Sequence, residues 1–496
     1  MFGWFKCRQP PSRWSLDKPL FAWNRQDDFS IRDACSGVAV FGATGSGKTS
    51  GSGRLLATSY LKAGFGFLVL CTKSDERDLW LRYCQETGRG EDVVVFSPEN
   101  RYRFNALDHE CRHGGRGGGL TPNIVNLIEE VLEMANGREK GAGGKGEDAY
   151  WLTARKQLLW NAVDLLVLSD DVISIPNVYQ VIASAPHSPQ QLGSRDWQNS
   201  SYCFHRMLVM LHRGQEGQID ERQRFDAAKV AHFFQREHLQ LAEKTRSIVD
   251  STFCAAASIL DRGVLRELFS TTSNVSPSDV LNGKIVVVDL PVENFGVAGL
   301  FAGILWKKSV QLSLLRRAVG PGTRPVSIFA DEAQNFITGA DASFLSTCRS
   351  KLAANVYLSQ NINNYIAALG AGDKATAEVE SVLGNAGTLI AHANSCQRTG
   401  EYMSERIGRE RQFLSNFSQS GGANDWYSAM GGEGEQNETA GFSETWEYQL
   451  QPSFYGTLRT GGQRHNRMVD AIVYTTGHEF KSSRRNWMTT TLRQAD

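Results

Sequence analysis

The chain lacks a net charge: 53 Lys and Arg balance 53 Asp and Glu over 496 residues. That balance excludes a generally basic nucleic-acid binder, so any surface for DNA has to be a local patch or a ring-shaped pore. A long hydrophobic run is also missing. The longest, Phe295–Trp306, is about twelve residues, against the roughly twenty that crossing a bilayer requires. The opening stretch MFGWFKCRQPPSRW has neither the apolar core nor the cleavage site of a signal peptide. The protein is therefore expected in the cytoplasm, or brought to the inner face of the membrane by a partner. Its nine cysteines are scattered, odd in number and without a C-x-x-C pair, which argues against a disulfide framework and for a reducing compartment. His109, Cys111 and His113 lie close together, but three donors in five residues with no distant fourth are a poor zinc site. No internal repeat is evident.

What is present is GVAVFGATGSGKTS, residues 37–50. An apolar run ends in a glycine-rich loop followed by a lysine and a threonine, the pattern of a phosphate-binding loop. Glycines let backbone amides turn inward around an anion where a Cβ would block the approach. Lys48 can reach the β- and γ-phosphates, and the Thr49 hydroxyl can hold Mg²⁺. The helix that begins here aims its positive end at the same phosphates. Gly42, Ala43, Thr44, Gly45, Ser46, Gly47, Lys48, Thr49 and Ser50 are thus expected to bind ATP, with Mg²⁺ as cofactor. An inert glycine turn is the plainer alternative.

The rest of the first third has α/β character. Residues 1–36 are expected to form an edge strand or arm. Residues 48–63 fit a helix with Leu56 and Tyr60 on one face, in which Gly51 and Gly53 call for close packing on a sheet. GFGFLVLCTKSDE (64–76) and DVVVFSP (92–98) fit buried parallel strands. After about residue 115 the pattern turns helical, with Ile124, Ile128, Val131 and Leu132, then Leu158, Leu159, Ala162, Leu165 and Leu166, then Val230–Phe234 and Ile248–Leu260. Two glycine-rich stretches, 114–120 and 137–148, fit loops. Strand character returns at KIVVVDL (284–290). A glycine-, Asn- and Glu-rich stretch, 420–444, is expected to be a loop, and DAIVYTTG (470–477) a strand. The chain is thus expected to comprise an arm and the first part of a nucleotide-binding domain over 1–115, an all-α insertion over 116–275, and the second part of the nucleotide-binding domain over 276–496.

A phosphate loop needs a partner strand ending in an acid. IVVVDLPVE ends in Asp289 with Leu290 after it, so no base stands beside the acid. VSIFADEAQNF ends in Asp331-Glu332. Here Asp331 can contact Mg²⁺ and Glu332 can polarise the attacking water. The second is preferred; the bland alternative is a solvated turn. Gln360 follows the next strand, Ala354–Leu358, where a carboxamide can hydrogen-bond the γ-phosphate and water. Arg349 lies in a basic stretch just before that strand. In ring ATPases an arginine there can reach the neighbouring subunit's nucleotide, although a surface arginine is more often merely solvated.

Together these elements resemble the type IV secretion coupling proteins, the TraG/TraD-type ATPases that feed DNA into conjugative channels. The resemblance rests on GATGSGKT (42–49), ADEAQNF (330–336), the block from Arg349 to Gln360, and HANSCQRTGEYMSERIG (392–408), with support from residues 233–270. It implies a RecA-like motor assembled as a hexameric ring, with an all-α domain that engages DNA or cargo proteins and with a relaxase or channel protein as partner. Two departures stand out. Family members usually begin with a membrane anchor, and none is visible here. The family's second strand often ends Asp-x-Lys-Gly-Glu, whereas here Cys71 stands at the first acid and Lys73 at the lysine. The expected function is an ATP-hydrolysing DNA translocase, with single- or double-stranded substrate left open. The alternatives are a DNA pump of the FtsK or HerA type, and a nucleotide-gated adaptor that collects protein cargo.

Overall fold

A short antiparallel pair, β1 (Pro19–Ala22) and β2 (Asp28–Ser30), leads into the main body. The apolar runs then become β3 (Val38–Phe41), β4 (Gly66–Leu70), β5 (Val93–Phe96), β6 (Ile285–Val288), β7 (Val326–Ala330), β8 (Ala353–Ser359) and β9 (Thr388–Ala391). A hairpin follows, β10 (Arg409–Gly421) with β11 (Gln436–Tyr448), and then β12 (Met468–Thr475) and β13 (Trp487–Arg493). The nine-stranded main sheet is ordered β13-β12-β9-β3-β8-β7-β4-β6-β5. The seven strands from β9 to β5 are parallel, and β12 and β13 extend the sheet antiparallel beyond β9. The computed structural model describes residues 13–112, 117–139, 149–241, 260–421 and 436–494, with scattered positions between 243 and 258.

The strands read as continuous apolar runs because both faces of the sheet are covered. Successive side chains point to opposite faces. Val38 and Val40, with Phe67, Val69, Ile285 and Val287, join one core; Ala39 and Phe41, with Leu68, Leu70, Val286 and Val288, join the other. The first face is closed by helix Arg54–Ala63, through Leu56, Ala57, Tyr60 and Leu61, and by helix Glu76–Glu86, through Trp80, Tyr83 and Cys84. The second is closed by helix Val297–Arg316, which takes up the apolar run of the sequence as a buried core helix. Among the described residues, no helix is long and apolar enough to cross a membrane.

Between β5 and β6 the described secondary structure is entirely helical. Ile124 and Ile128 of helix Thr121–Glu139 pack with Leu158, Leu159, Ala162, Leu165 and Leu166 of helix Ala149–Leu168. That packing is continuous with the second sheet face through Phe96, Phe104 and Trp306. The buried ion pair Arg155–Glu129, at 2.8 Å, ties the same two helices together.

The loop expected over 420–444 is corrected by the structure. Its flanks belong to the antiparallel pair β10–β11, in continuous register from Arg409↔Tyr448 to Gly421↔Gln436. The glycines and asparagines at its centre obscured strand-favouring residues on either side, among them Phe413, Phe417, Thr439 and Phe442. Residues 422–435 lie outside the described residues, as do His113, most of the two glycine-rich stretches and most of 248–259.

Candidate nucleotide-binding site

The phosphate loop follows β3, between the ends of its neighbours β8 and β9. Gly42 N donates to Ser359 O at 3.3 Å and Ala43 N to Ala393 O at 2.9 Å, so both flanking strands hold the loop. Gly47 has φ +83°, and a Cβ there would lie 2.6 Å from Val469 Cγ2, so no other residue fits. The helix opens with a π-turn, Thr49–Gly53, in which Gly53 N donates to Lys48 O at 2.8 Å. A Cβ on Gly53 would press on Leu358 of β8 at 3.0 Å, which explains a glycine inside this helix.

The loop has the features an anion requires. Among the described backbone hydrogen bonds, the amides of Gly45, Gly47, Lys48 and Thr49 donate to no carbonyl. The hydroxyl of Ser46 is buried without a partner. Unsatisfied donors gathered at a helix start are the groups a phosphate satisfies.

Sheet order brings the acids to this loop. Because β3, β8 and β7 are neighbours, Gln360 at the end of β8 stands between the loop and Asp331-Glu332 at the end of β7. Thr49 Oγ1 donates to Asp331 Oδ2 at 2.7 Å. Lys48 Nζ lies 3.4 Å from Glu332 Oε1, with both side chains buried. Gln360 Nε2 donates to the same Oε1 at 3.3 Å, and Gln334 Nε2 to Oε2 at 3.0 Å. Glu332 sits at φ +53°, a left-handed conformation costly for a side chain with a Cβ. Burial pushes its carboxyl up, but hydrogen bonds from Gln334 and Gln360 and the charges of Lys48 and Lys73 outweigh that and hold it below the ordinary glutamate value. The group is therefore ionised at neutral pH.

The loop after β4 adds a second cation. Lys73 Nζ lies 3.6 Å from Glu332 and 3.9 Å from Asp331. Burial lowers its affinity for the proton, yet the two acids raise it overall. Thr72 Oγ1 donates to Asp331 O at 3.1 Å, and Thr72 N to Glu76 Oε2 at 2.9 Å. Burial, reinforced by the charge of Asp331, pushes Glu76 up to about 8. Cys71 is buried in the core beneath this loop, and burial drives its thiol far upward, so it is no reactive group.

Other candidates fall elsewhere. Asp289 ends β6, four strands from β3, and meets Arg77 at 3.3 Å. Ser50 Oγ accepts from Gln494 Nε2 at 2.7 Å, which ties the loop helix to the end of β13. Arg349 is exposed at the N-terminal end of β8, whereas the phosphate loop lies at the C-terminal ends of the strands. With seven residues in β8, that separation is about 23 Å at the usual strand rise, so Arg349 is not part of its own chain's site. Sequence reasoning missed three neighbours. Gln334 was legible as a carboxamide two residues after Glu332. Glu76 and His392 were not. His392 meets Ser52 Oγ at 2.7 Å and Asp470 O at 3.0 Å, and burial lowers it to about 4, so it is neutral.

Comparison with known proteins agrees with this geometry. The family model described as type IV secretory system conjugative DNA transfer matches residues 6–424. Among solved structures, the unbound bacterial conjugative coupling protein TrwBdeltaN70 is similar with a TM-score of 0.61 and 15% identity, over 97% of this chain and 89% of that one. The plasmid coupling protein TrwB with ADP and Mg²⁺ gives 0.59 and 15% over 95% and 88%. TrwB with the non-hydrolysable GTP analogue GDPNP gives 0.59 and 14% over 97% and 90%. The fold is therefore that of a RecA-like P-loop protein. No curated protein matches the chain in sequence.

Proposed function

This chain belongs to the type IV secretory system conjugative DNA transfer family, and from that membership we propose an Mg²⁺-dependent ATPase that moves DNA as a ring-shaped, hexameric motor. The observation that carries the proposal is the convergence of Thr49 on Asp331 at 2.7 Å, and of Lys48 and Gln360 on Glu332. The loop amides and Lys48 bind the phosphates. Thr49 and Asp331 would hold Mg²⁺, which would supply positive charge beside the phosphates. Glu332 accepts a proton from the attacking water, and Gln334 and Gln360 fix the direction in which its oxygens point. Lys48 and Lys73 rest on the acids in this structure; with nucleotide present both have a stronger anion to meet. Gln360 is placed to report loss of the γ-phosphate along β8. Arg349, remote from its own site, serves the neighbouring subunit's nucleotide.

The segment 116–275 is the insertion in a single nucleotide-binding domain formed by 1–115 and 276–496; the interleaving of β3 and β4 among β6–β9 in one sheet supports that division. The eight free cysteines among the described residues suit the cytoplasmic side, where a relaxase or channel protein would be met.

The test is ATP turnover with and without single- and double-stranded DNA, alongside ring formation by electron microscopy. Turnover stimulated by DNA in rings, and lost in Lys48→Ala, is the expected result. A monomer that is silent with every polynucleotide refutes the motor, and stimulation by a protein partner alone favours the adaptor.

A further inference from the structure

The root of the β10–β11 hairpin carries a second set of groups, far from the phosphate loop. Helix Gln397–Ile407 ends at Gly408, φ +103°, and Gln449 N donates to Gly408 O at 3.1 Å to close the hairpin's neck. Trp487 Nε1 donates to Gln449 Oε1 at 3.0 Å. Trp487 pairs with Tyr474 on β12, whose next residue, Thr475, pairs with Thr388 at the start of β9. The root therefore lies at the N-terminal end of the parallel strands, opposite the phosphate loop.

Register puts four residues of the root on one face. Arg409 is directly across from Tyr448, and Arg411 from Trp446; residues two apart on a strand share a face. The Arg409 guanidinium lies 4.4 Å from the Tyr448 ring centre and that of Arg411 5.4 Å from Trp446. Arg485, 5.6 Å from Trp487, pairs at 2.9 Å with Glu410, which the alternation puts on the opposite face. Glu444 is paired with Arg411 at 3.0 Å. Arg406, stacked on Tyr402, and Arg409 have no carboxylate partner among the described residues. On this face Arg409 and Arg411 stand against Glu444, an excess of one positive charge. Trp446 is 57% exposed, the second most exposed of the large hydrophobic residues described. Aromatic rings alternating with arginines suit unpaired nucleobases, which stack on the rings while their phosphates meet the cations. A duplex hides its base faces and cannot use such rings.

We propose that this face of the hairpin root, Arg409, Arg411, Trp446 and Tyr448, is a base-stacking site for single-stranded DNA. It rests on the DNA-motor reading above and adds to it a place of contact and a strand type. The test is fluorescence anisotropy of the full chain with a labelled oligo-dT and with a duplex of equal length, alongside the oligomer's mass. Trp446→Ala weakens oligo-dT binding by about tenfold, while duplex binding and DNA-free ATP turnover hold. Trp446→Phe keeps most of the affinity, which separates stacking from misfolding. Arg409→Ala with Arg411→Ala lowers the slope of log affinity against log salt by about 1.4. Equal oligo-dT binding by wild type and Trp446→Ala overturns the site and leaves the motor standing. Loss of binding only together with loss of the oligomer also overturns it, in favour of a subunit contact. A wild-type protein that binds neither DNA removes the motor reading instead.

Discussion

Replacing Glu332 by Gln isolates one charge at the centre of the site. The substitution keeps shape and the left-handed backbone but removes the proton acceptor, which typically contributes 10²–10⁴-fold to a rate. The barrier rises by about 3–5 kcal/mol. ATP binding moves the other way. The carboxylate 3.4 Å from Lys48 competes with phosphate for that cation, so neutralising it leaves affinity unchanged or tighter. Glu332→Gly separates strain from chemistry. It relieves a backbone at φ +53° costing about 1–2 kcal/mol and gives back about 0.5–1 kcal/mol through glycine's greater freedom when unfolded. Turnover is then lost and stability falls, because leaving buried Lys48 without Glu332 costs more than the strain relieved. The pH dependence has a definite sign: a carboxyl held below its ordinary value keeps the base ionised across neutral pH, and its contribution disappears only as pH falls through that lowered value. Steady-state phosphate release and binding of a fluorescent ATP analogue measure the two effects. Turnover of Glu332→Gln within a few-fold of wild type moves the base to another residue; loss of ATP binding shows that the site depends on the charge for its shape.

The remaining predictions concern the subunit boundary and the support of the acid strand. Arg349→Ala is inactive alone but recovers part of its turnover when mixed with Lys48→Ala, because each supplies what the other lacks; no recovery at any ratio excludes a shared site. Lys307, buried, pairs with fully buried Asp341 and donates to Phe336 O at 2.5 Å, fixing the segment that follows Glu332. Lys307→Ala leaves Asp341, among the described residues, with Gln311 and Thr338 and lowers stability by about 3–5 kcal/mol. A loss under about 1 kcal/mol in urea denaturation means the carboxylate is met by something other than Lys307.

The phosphate loop was legible because its function depends on backbone: glycines at fixed spacing, a lysine and a hydroxyl are all local in sequence. The acid pair was legible as the end of an apolar run followed by two carboxylates. Hidden from the sequence were contacts made across the sheet. Glu76 reaches the site only because β4 lies beside β7, and His392 only because β9 lies beside β3. The hairpin was missed for a related reason. Its two strands follow one another in sequence, but a glycine-rich centre dominated the composition of the window.

Periodicity and the loop motif by themselves determined that this chain folds around a mostly parallel sheet covered on both faces and carries a phosphate-binding loop. Both are short-range properties: alternation along a strand, and a turn that only glycine can make. Strand order belonged to the tertiary structure alone. It decided that Asp331, and not Asp289, meets Thr49, that Gln360 stands between loop and acids, and that Arg349 lies at the far end of β8. Pairing between strands hundreds of residues apart is chosen by how the whole core packs, and no local stretch of sequence contains that information.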